Sequence, residues 1–321
     1  MYNLQKLLIK ALSSSKPQKA SNLTSGFTMA ELLVATAVAS IIIVPILTFA
    51  VDMINRDVRE QAKANSEQEL QMAVDYITQD MSQAFYIYDP DPDTAPTPSY
   101  SDFIKKLPHS EDEDKDPILV FWKRKFIEHS IPIDDKDTSI NCPADENKCD
   151  DGFVQSLVIY YLIKDDNDTW CQPPAKPGSS CPKRIARLEI QDGVKDFQGV
   201  YVCGTDGRSE GCNSNSSQKK FQRDLGYTPY NKSNPTGWTQ QTGENYSNSP
   251  VVLVNYVENF TLDSVNNDKL AKITILGNAM RRRRDDFSCI EDNSTTPPTY
   301  KKSPYCPKAT AQVGARSGFG E

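Results

Sequence analysis

From Leu32 to Val51 the chain runs for twenty residues without a charged side chain. At about 1.5 Å per residue a helix of that length spans roughly 30 Å, the thickness of a bilayer's hydrocarbon core. No other feature limits the fold as strongly. The residues before it carry a matching signal. Residues 1–26 hold Lys6, Lys10, Lys16 and Lys19 and no acid, although the whole chain has a net charge of −7. A lysine-rich flank stays on the cytoplasmic side of a membrane, so the acidic remainder is expected on the far side. A core helix of a soluble protein is the plainer alternative, and the length of the uncharged run argues against it. The acidic balance also argues against nucleic acid as a partner. Pro45 sits inside the run, where it removes one backbone hydrogen bond, a lesion membrane helices tolerate.

The helical pattern continues past the apolar run. Val51, Ile54, Val58 and Ala62 recur at spacings of three and four, and after the polar patch Asn65–Glu69 the stripe resumes at Leu70, Ala73, Val74, Ile77, Met81, Ala84 and Phe85. That is one amphipathic face, with Glu60, Lys63, Glu67, Glu69, Asp75 and Asp80 placed off it. One helix from Phe27 to near Tyr88 is expected, ended by the prolines of Asp89-Pro-Asp-Pro-Asp93. Beyond it the period changes. Residues 118–122, 153–163, 185–190, 251–262 and 272–276 are β-branched or aromatic runs bounded by turn residues. No helix-length periodic segment separates them, so an antiparallel sheet is expected to pack on the stripe at 70–85. The fold class is α+β: a long N-terminal transmembrane and amphipathic helix on an antiparallel β-sheet head. The expected divisions are a basic leader 1–26, a membrane helix 27–51, an amphipathic extension 52–88, a β-rich head 89–307 and a disordered tail 308–321.

Eight cysteines, Cys142, Cys149, Cys171, Cys181, Cys203, Cys212, Cys289 and Cys306, all follow the apolar run. An even count on the exported side of a membrane reads as disulfides. Their order suggests four local clips, 142–149, 171–181, 203–212 and 289–306, each closing a loop too polar to be held by packing. Zinc is the rival reading. It lacks the close cysteine spacing of a zinc site, and the chain has only two histidines, His109 and His129.

Glu31 falls just before the uncharged twenty, preceded by a bare Gly26-Phe27 junction. A secretory signal is cut after its apolar run, whereas a cut at this junction would remove the basic head and keep the helix. It would also leave a new amine on Phe27. A lone carboxylate at the bilayer centre costs about 2.5–3.5 kcal/mol on insertion scales, and less near a helix end. An ammonium on a neighbouring helix would neutralise it and fix the axial register of one subunit on the next. The plain alternative is a glutamate that snorkels to the interface.

Gly26-Phe27-Thr28, Glu31 and Leu32-Leu33-Val34 resemble the type IV prepilin cleavage and methylation motif. Met29 and Ala30 depart from the usual Leu and Ile or Leu without touching the junction or the acid. The resemblance implies cleavage after Gly26 by an inner-membrane prepilin peptidase, N-methylation of Phe27, and Glu31 as the assembly acid. Residues 60–89, 117–126, 156–165, 184–197 and 273–280 are similar to the hormogonium polysaccharide secretion pseudopilins of filamentous cyanobacteria, their type C members above all. That implies a minor pseudopilin, anchored once in the inner membrane with its head in the periplasm. Its partners would be other pilins, the prepilin peptidase and the assembly platform, in a machine that exports polysaccharide during gliding. An adhesive or DNA-uptake minor pilin is the alternative.

No enzyme constellation stands out, with no G-x-S-x-G, P-loop or H-E-x-x-H. Calcium is the one cofactor to weigh, at Asp89/Asp91/Asp93, Glu111–Asp116, Asp134/Asp135/Asp137 and Asp165/Asp166/Asp168. The first opens like an EF-hand, but Thr94 and Tyr100 stand where its Gly and Glu belong. Arg281–Arg284 could hold an anionic polysaccharide or pair with Asp285 and Asp286. Tyr227, Tyr230 and Trp238 could stack on sugars or anchor turns.

Overall fold

The computed structural model describes residues 28–89, 103–134, 140, 142, 145–175, 177, 180–202, 221–224, 231, 248–266, 270–292, 294–295 and 298–314. They fall into two compact units divided between Asp57 and Val58.

The first unit is the N-terminal stretch of α1 (Met29–Met81). Its apolar side chains, from Leu32 through Phe49, are exposed, and the helix is long and apolar enough to cross a bilayer. The hydroxyls it carries are satisfied within the helix. Thr36 donates to the Leu33 carbonyl at 2.9 Å, and Thr48 to those of Val44 and Pro45 at 3.0 and 2.9 Å. Such back-bonding hides polar groups that lipid could not solvate.

The second unit holds the rest of α1 and a seven-stranded sheet in the order β1-β2-β3-β4-β5-β6-β9. The strands are β1 (Ala84–Ile87), β2 (Lys115–Pro132), β3 (Cys149–Ile163), β4 (Lys183–Gln191), β5 (Val251–Asn266), β6 (Leu270–Gly277) and β9 (Lys308–Gly314). All neighbours are antiparallel. β7 (Ile290–Asp292) and β8 (Thr299–Tyr300) form a separate small ribbon. The five expected strand runs all lie in this sheet. One face packs on Leu70, Ala73, Val74, Ile77 and Met81 of α1, the stripe read from the sequence. The other face is covered by Tyr88, Phe103 and Leu107. β3 is therefore apolar on both sides from Leu157 to Ile163, unlike a half-exposed strand.

The ends of two elements differ from the sequence expectation. α1 stops at Met81 rather than near Tyr88, and Ala84–Ile87 turns back as an edge strand, pairing Ala84 with Lys123 and Ile87 with Phe121. A four-residue apolar run fits either period, and the open edge of β2 decides it. The tail differs as well. Lys308–Gly314 is not disordered but an edge strand on β6, with Ala309, Ala311 and Val313 turned to the core. Its alternation is carried largely by alanine, too weakly apolar to stand out. Residues 315–321 lie outside the described residues.

Three of the expected clips are formed: Cys142–Cys149, Cys171–Cys181 and Cys289–Cys306. Cys203 and Cys212 lie outside the described residues. The last clip closes the excursion between β6 and β9. Gly277 N–H donates to the Pro307 carbonyl at 2.8 Å, so the returning chain meets β6 where it left.

At that junction the helix comes very close. A Cβ on Gly277 would lie 2.5 Å from Leu70 Cδ1, 3.1 Å from Ser66 Oγ and 3.3 Å from Pro307 Cγ. Gly277→Ala is therefore expected to destabilise the head by about 1–3 kcal/mol through overpacking. Urea denaturation followed by circular dichroism measures it.

Candidate functional site

Thr28 precedes the first turn of α1, and Glu31 lies in that turn. The Glu31 carboxylate accepts from Thr28 N–H and from Thr28 Oγ1, both at 3.1 Å, and Glu31 N–H donates to Thr28 Oγ1 at 3.3 Å. This is a reciprocal capping box, which satisfies amide donors that the helix cannot. Its signal, Thr-x-x-Glu ahead of an apolar run, overlaps the cleavage motif in the sequence. Gly26 and Phe27 lie outside the described residues.

Asp80 is the largest departure from the sequence reading. The sequence pattern puts it on the polar side of α1, yet it is only 7% exposed. It stands three residues from Ile77 and one from Met81, inside the helix stripe's angular width. Its Oδ1 accepts from Lys123 Nζ on β2 at 2.6 Å. Its Oδ2 accepts from Tyr160 OH on β3 at 2.8 Å and from Arg187 Nε on β4 at 2.7 Å. Arg187 Nη2 also donates to Glu189 at 2.7 Å, and Lys123 and Lys125 each lie 3.6 Å from Glu189. The residues meet because strand register aligns them: Tyr160 opposes Arg187, and Val158 opposes Glu189.

Burial pushes the Asp80 carboxyl up, but the bonds from Arg187 and Lys123 outweigh it and hold it below its ordinary 3.8. Glu189 likewise sits below its ordinary 4.5: burial raises it, and Lys123, Lys125 and Arg187 together lower it further. Burial and the Asp80 charge push the Tyr160 phenol up. Each group is thereby fixed in its neutral-pH form, which suits an anchor and not a proton-transfer site.

The histidines lie in unrelated settings. His109 Nε2 is 3.2 Å from the Asn248 carbonyl, and His129 occupies a bulge of β2, where its N–H donates to Asp151 at 2.9 Å. Three acids of these clusters are drawn into local pairs. Asp112 pairs with Lys115, Asp116 with Lys164, and Asp165 with Arg184. Among the described residues no three His, Cys, Asp or Glu side chains converge. Asp91, Asp93, Asp135 and Asp137 lie outside them, as do Tyr227, Tyr230 and Trp238.

The arginine block is divided rather than presented together. Arg281 is buried and donates to the Pro173 and Ser180 carbonyls at 3.2 and 2.9 Å. Arg282 pairs with Glu69, and Arg284 with Asp286.

A groove of about 640 Å³ opens beside Arg282, walled by Tyr76 of α1, Trp170 and β5 residues that include Asn255 and Tyr256. A second, of about 560 Å³, shares Tyr76, Val252 and Leu253 with it and extends to Arg187 and Glu189. The walls are firmly held. The Cys171–Cys181 clip follows Trp170 directly, and Asn255 Nδ2 donates to the Trp170 carbonyl at 3.0 Å. Arg281, gripping the same clipped loop, fixes its neighbour Arg282 over the Tyr256 ring at 4.3 Å. Tyr256 has φ +58°, a left-handed backbone rare for an aromatic residue, on β5 next to a register shift. None of this was legible in the sequence. Trp170 stood in an acidic loop and Tyr256 in an ordinary strand run.

Comparison of the chain with protein-family models, curated proteins and solved structures returns no match.

The ion cluster has a measurable consequence. Asp80 and Glu189 have depressed folded pKa values, so their stabilisation is fully present above their unfolded values. It is lost as pH falls through the folded ones. Asp80→Asn leaves Lys123 and Arg187 short of a buried partner and is expected to cost about 3 kcal/mol at neutral pH. The gap from wild type should narrow below about pH 4, where the wild-type carboxylates also protonate. Denaturant titrations across that range test both parts.

Proposed function

We propose that the chain is a minor subunit of a pilus-like filament of the pseudopilin kind, working in a secretion machine whose cargo is polysaccharide. The observation that carries this reading is the lone Glu31 carboxylate at the head of an exposed helix whose next twenty residues are uncharged. A helix anchor uses that acid as a cap with Thr28 but has no use for its charge. A helix that must leave the bilayer and stack on identical or related helices does.

The mechanism is mechanical. The peptidase cuts after Gly26 and frees the amine of Phe27, which is then methylated. The charge-bearing terminus of one subunit meets the Glu31 carboxylate of another, and this neutralises both in an apolar setting. Thr28 is the present partner of Glu31 and holds the carboxylate at the helix entrance. The incoming ammonium would add to those bonds, since a carboxylate has lone pairs beyond the two Thr28 donors. The clipped sheet head rides on the exported end of the same chain.

Capping and assembly predict different mutant behaviour. Glu31→Gln keeps an acceptor for Thr28, and so the cap, but removes the charge. Thr28→Ala removes the cap and keeps the charge. Glu31→Gln should therefore be inserted and cleaved normally but be lost from the sheared filament fraction. Thr28→Ala should still enter that fraction, with helix stability lower by about 0.5–2 kcal/mol. Filament recovery of Glu31→Gln at the wild-type level would overturn the reading. Mass spectrometry of the purified protein should find a mature chain that begins at methylated Phe27, and an intact Met1 would count equally against it.

A further inference from the structure

We propose that the groove beside Tyr76, Trp170 and Tyr256 binds a neutral glycan chain. The argument starts from the rings. Tyr76 is 44% exposed although it sits on the helix that closes the core. Trp170 and Tyr256 are half-buried and line the same groove. Aromatic rings that line an open groove are suited to a ligand that alternates C–H surfaces with hydroxyls. Tyr76 also lines the adjoining groove, so the surface suits an extended chain rather than a single compact ligand.

The polar groups narrow the chemistry. The lining also sets the polar side chains of Glu69, Thr169, Asn255 and Arg282 among the rings. An apolar helix or strand from a second copy would bury these polar groups without partners, at a penalty. Sugar hydroxyls can both donate to and accept from groups of this kind. Charge then sets the sign. Each ring has a guanidinium within 6.0 Å, but Arg187 is bonded to Asp80 and Glu189, Arg184 to Asp165, and Arg282 to Glu69. The charged residues that line the two grooves, Arg187 and Arg282 with Glu189 and Glu69, balance one another and offer no net attraction to a polyanion. A uronic-acid polymer or a nucleic acid would have to break these pairs to gain a cation, and a neutral chain would not.

The inference rests on the proposed reading only in that the head must be exported to meet a glycan. It does not depend on filament assembly. The full-length protein is held in a zwitterionic detergent, because maltoside headgroups would compete. It is titrated with the linear neutral hexasaccharides of glucose and mannose and with hexagalacturonate, followed by tryptophan fluorescence and calorimetry. At least one neutral hexasaccharide should bind more tightly than the uronate. Trp170→Ala and Tyr76→Ala should each weaken it roughly tenfold or more. Phe126→Ala, an exposed ring outside the groove, should leave it unchanged. Unaltered thermal unfolding of Tyr76→Ala separates lost binding from lost fold. Binding by Glu31→Gln at the wild-type level separates this site from the assembly reading. The proposal is overturned if no neutral hexasaccharide binds, if the uronate binds best, or if Trp170→Ala and Tyr76→Ala bind like wild type.

Discussion

A single carboxylate organises the second unit. Asp80 lies near the C-terminal end of α1 and accepts hydrogen bonds from β2, β3 and β4 at once, through Lys123, Tyr160 and Arg187. An apolar stripe alone would let the helix slide or rotate on the sheet, because dispersion and burial are non-directional. Charged hydrogen bonds with fixed geometry do not permit that. Their cost is the desolvation of several charges, which is acceptable because each has an opposite charge beside it, Glu189 lying next to all three cations. The same anchor ends the helix. With Asp80 fixed over β2–β4, the chain has only Ser82 and Gln83 in which to turn before β1 joins the edge of β2.

Covalent clips do for the polar connections what Asp80 does for the helix. The β3–β4 connection is largely polar and is shortened by Cys171–Cys181, and in the β6–β9 connection Phe287 and Tyr300 pack around Cys289–Cys306. Glu258 joins the second clip to the sheet by accepting from Asn278 Nδ2 and from Cys289 N–H. Arg281 joins the first by bonding two of its carbonyls. The groove is a consequence. Its walls come from α1, a clipped loop, a bulged strand and a short turn, and each is tied to another by a hydrogen bond or an ion pair.

Glu31 shows how one residue can satisfy two physical demands. Within the chain it completes the cap of α1 with Thr28. A cap explains why an acid is tolerated at that position, since the first turn of a helix carries partial positive charge and free amides. It does not explain why so long an uncharged segment should follow. Under the proposed assembly, a cap also pre-orients the carboxylate and so reduces the entropy lost when a neighbour's ammonium arrives.

Much of this protein was legible in its sequence because the relevant forces are local or periodic. The apolar run set the exposed helix, the three-and-four spacing set the face that meets the sheet, and β-branched runs set five strands. Cysteine order matched the three clips that are described. Tertiary structure decided what the linear pattern left degenerate. Ala84–Ile87 suited helix or strand until the edge of β2 claimed it, and Lys308–Gly314 gained strand form only by pairing with β6. Asp80 read as a surface acid until three strands supplied its partners, and Tyr256 read as an ordinary strand residue until the bulge in β5 turned its backbone left-handed. Periodicity records which side of an element faces inward. It carries no information about which distant donors, rings and charges the folded sheet will bring to the same place.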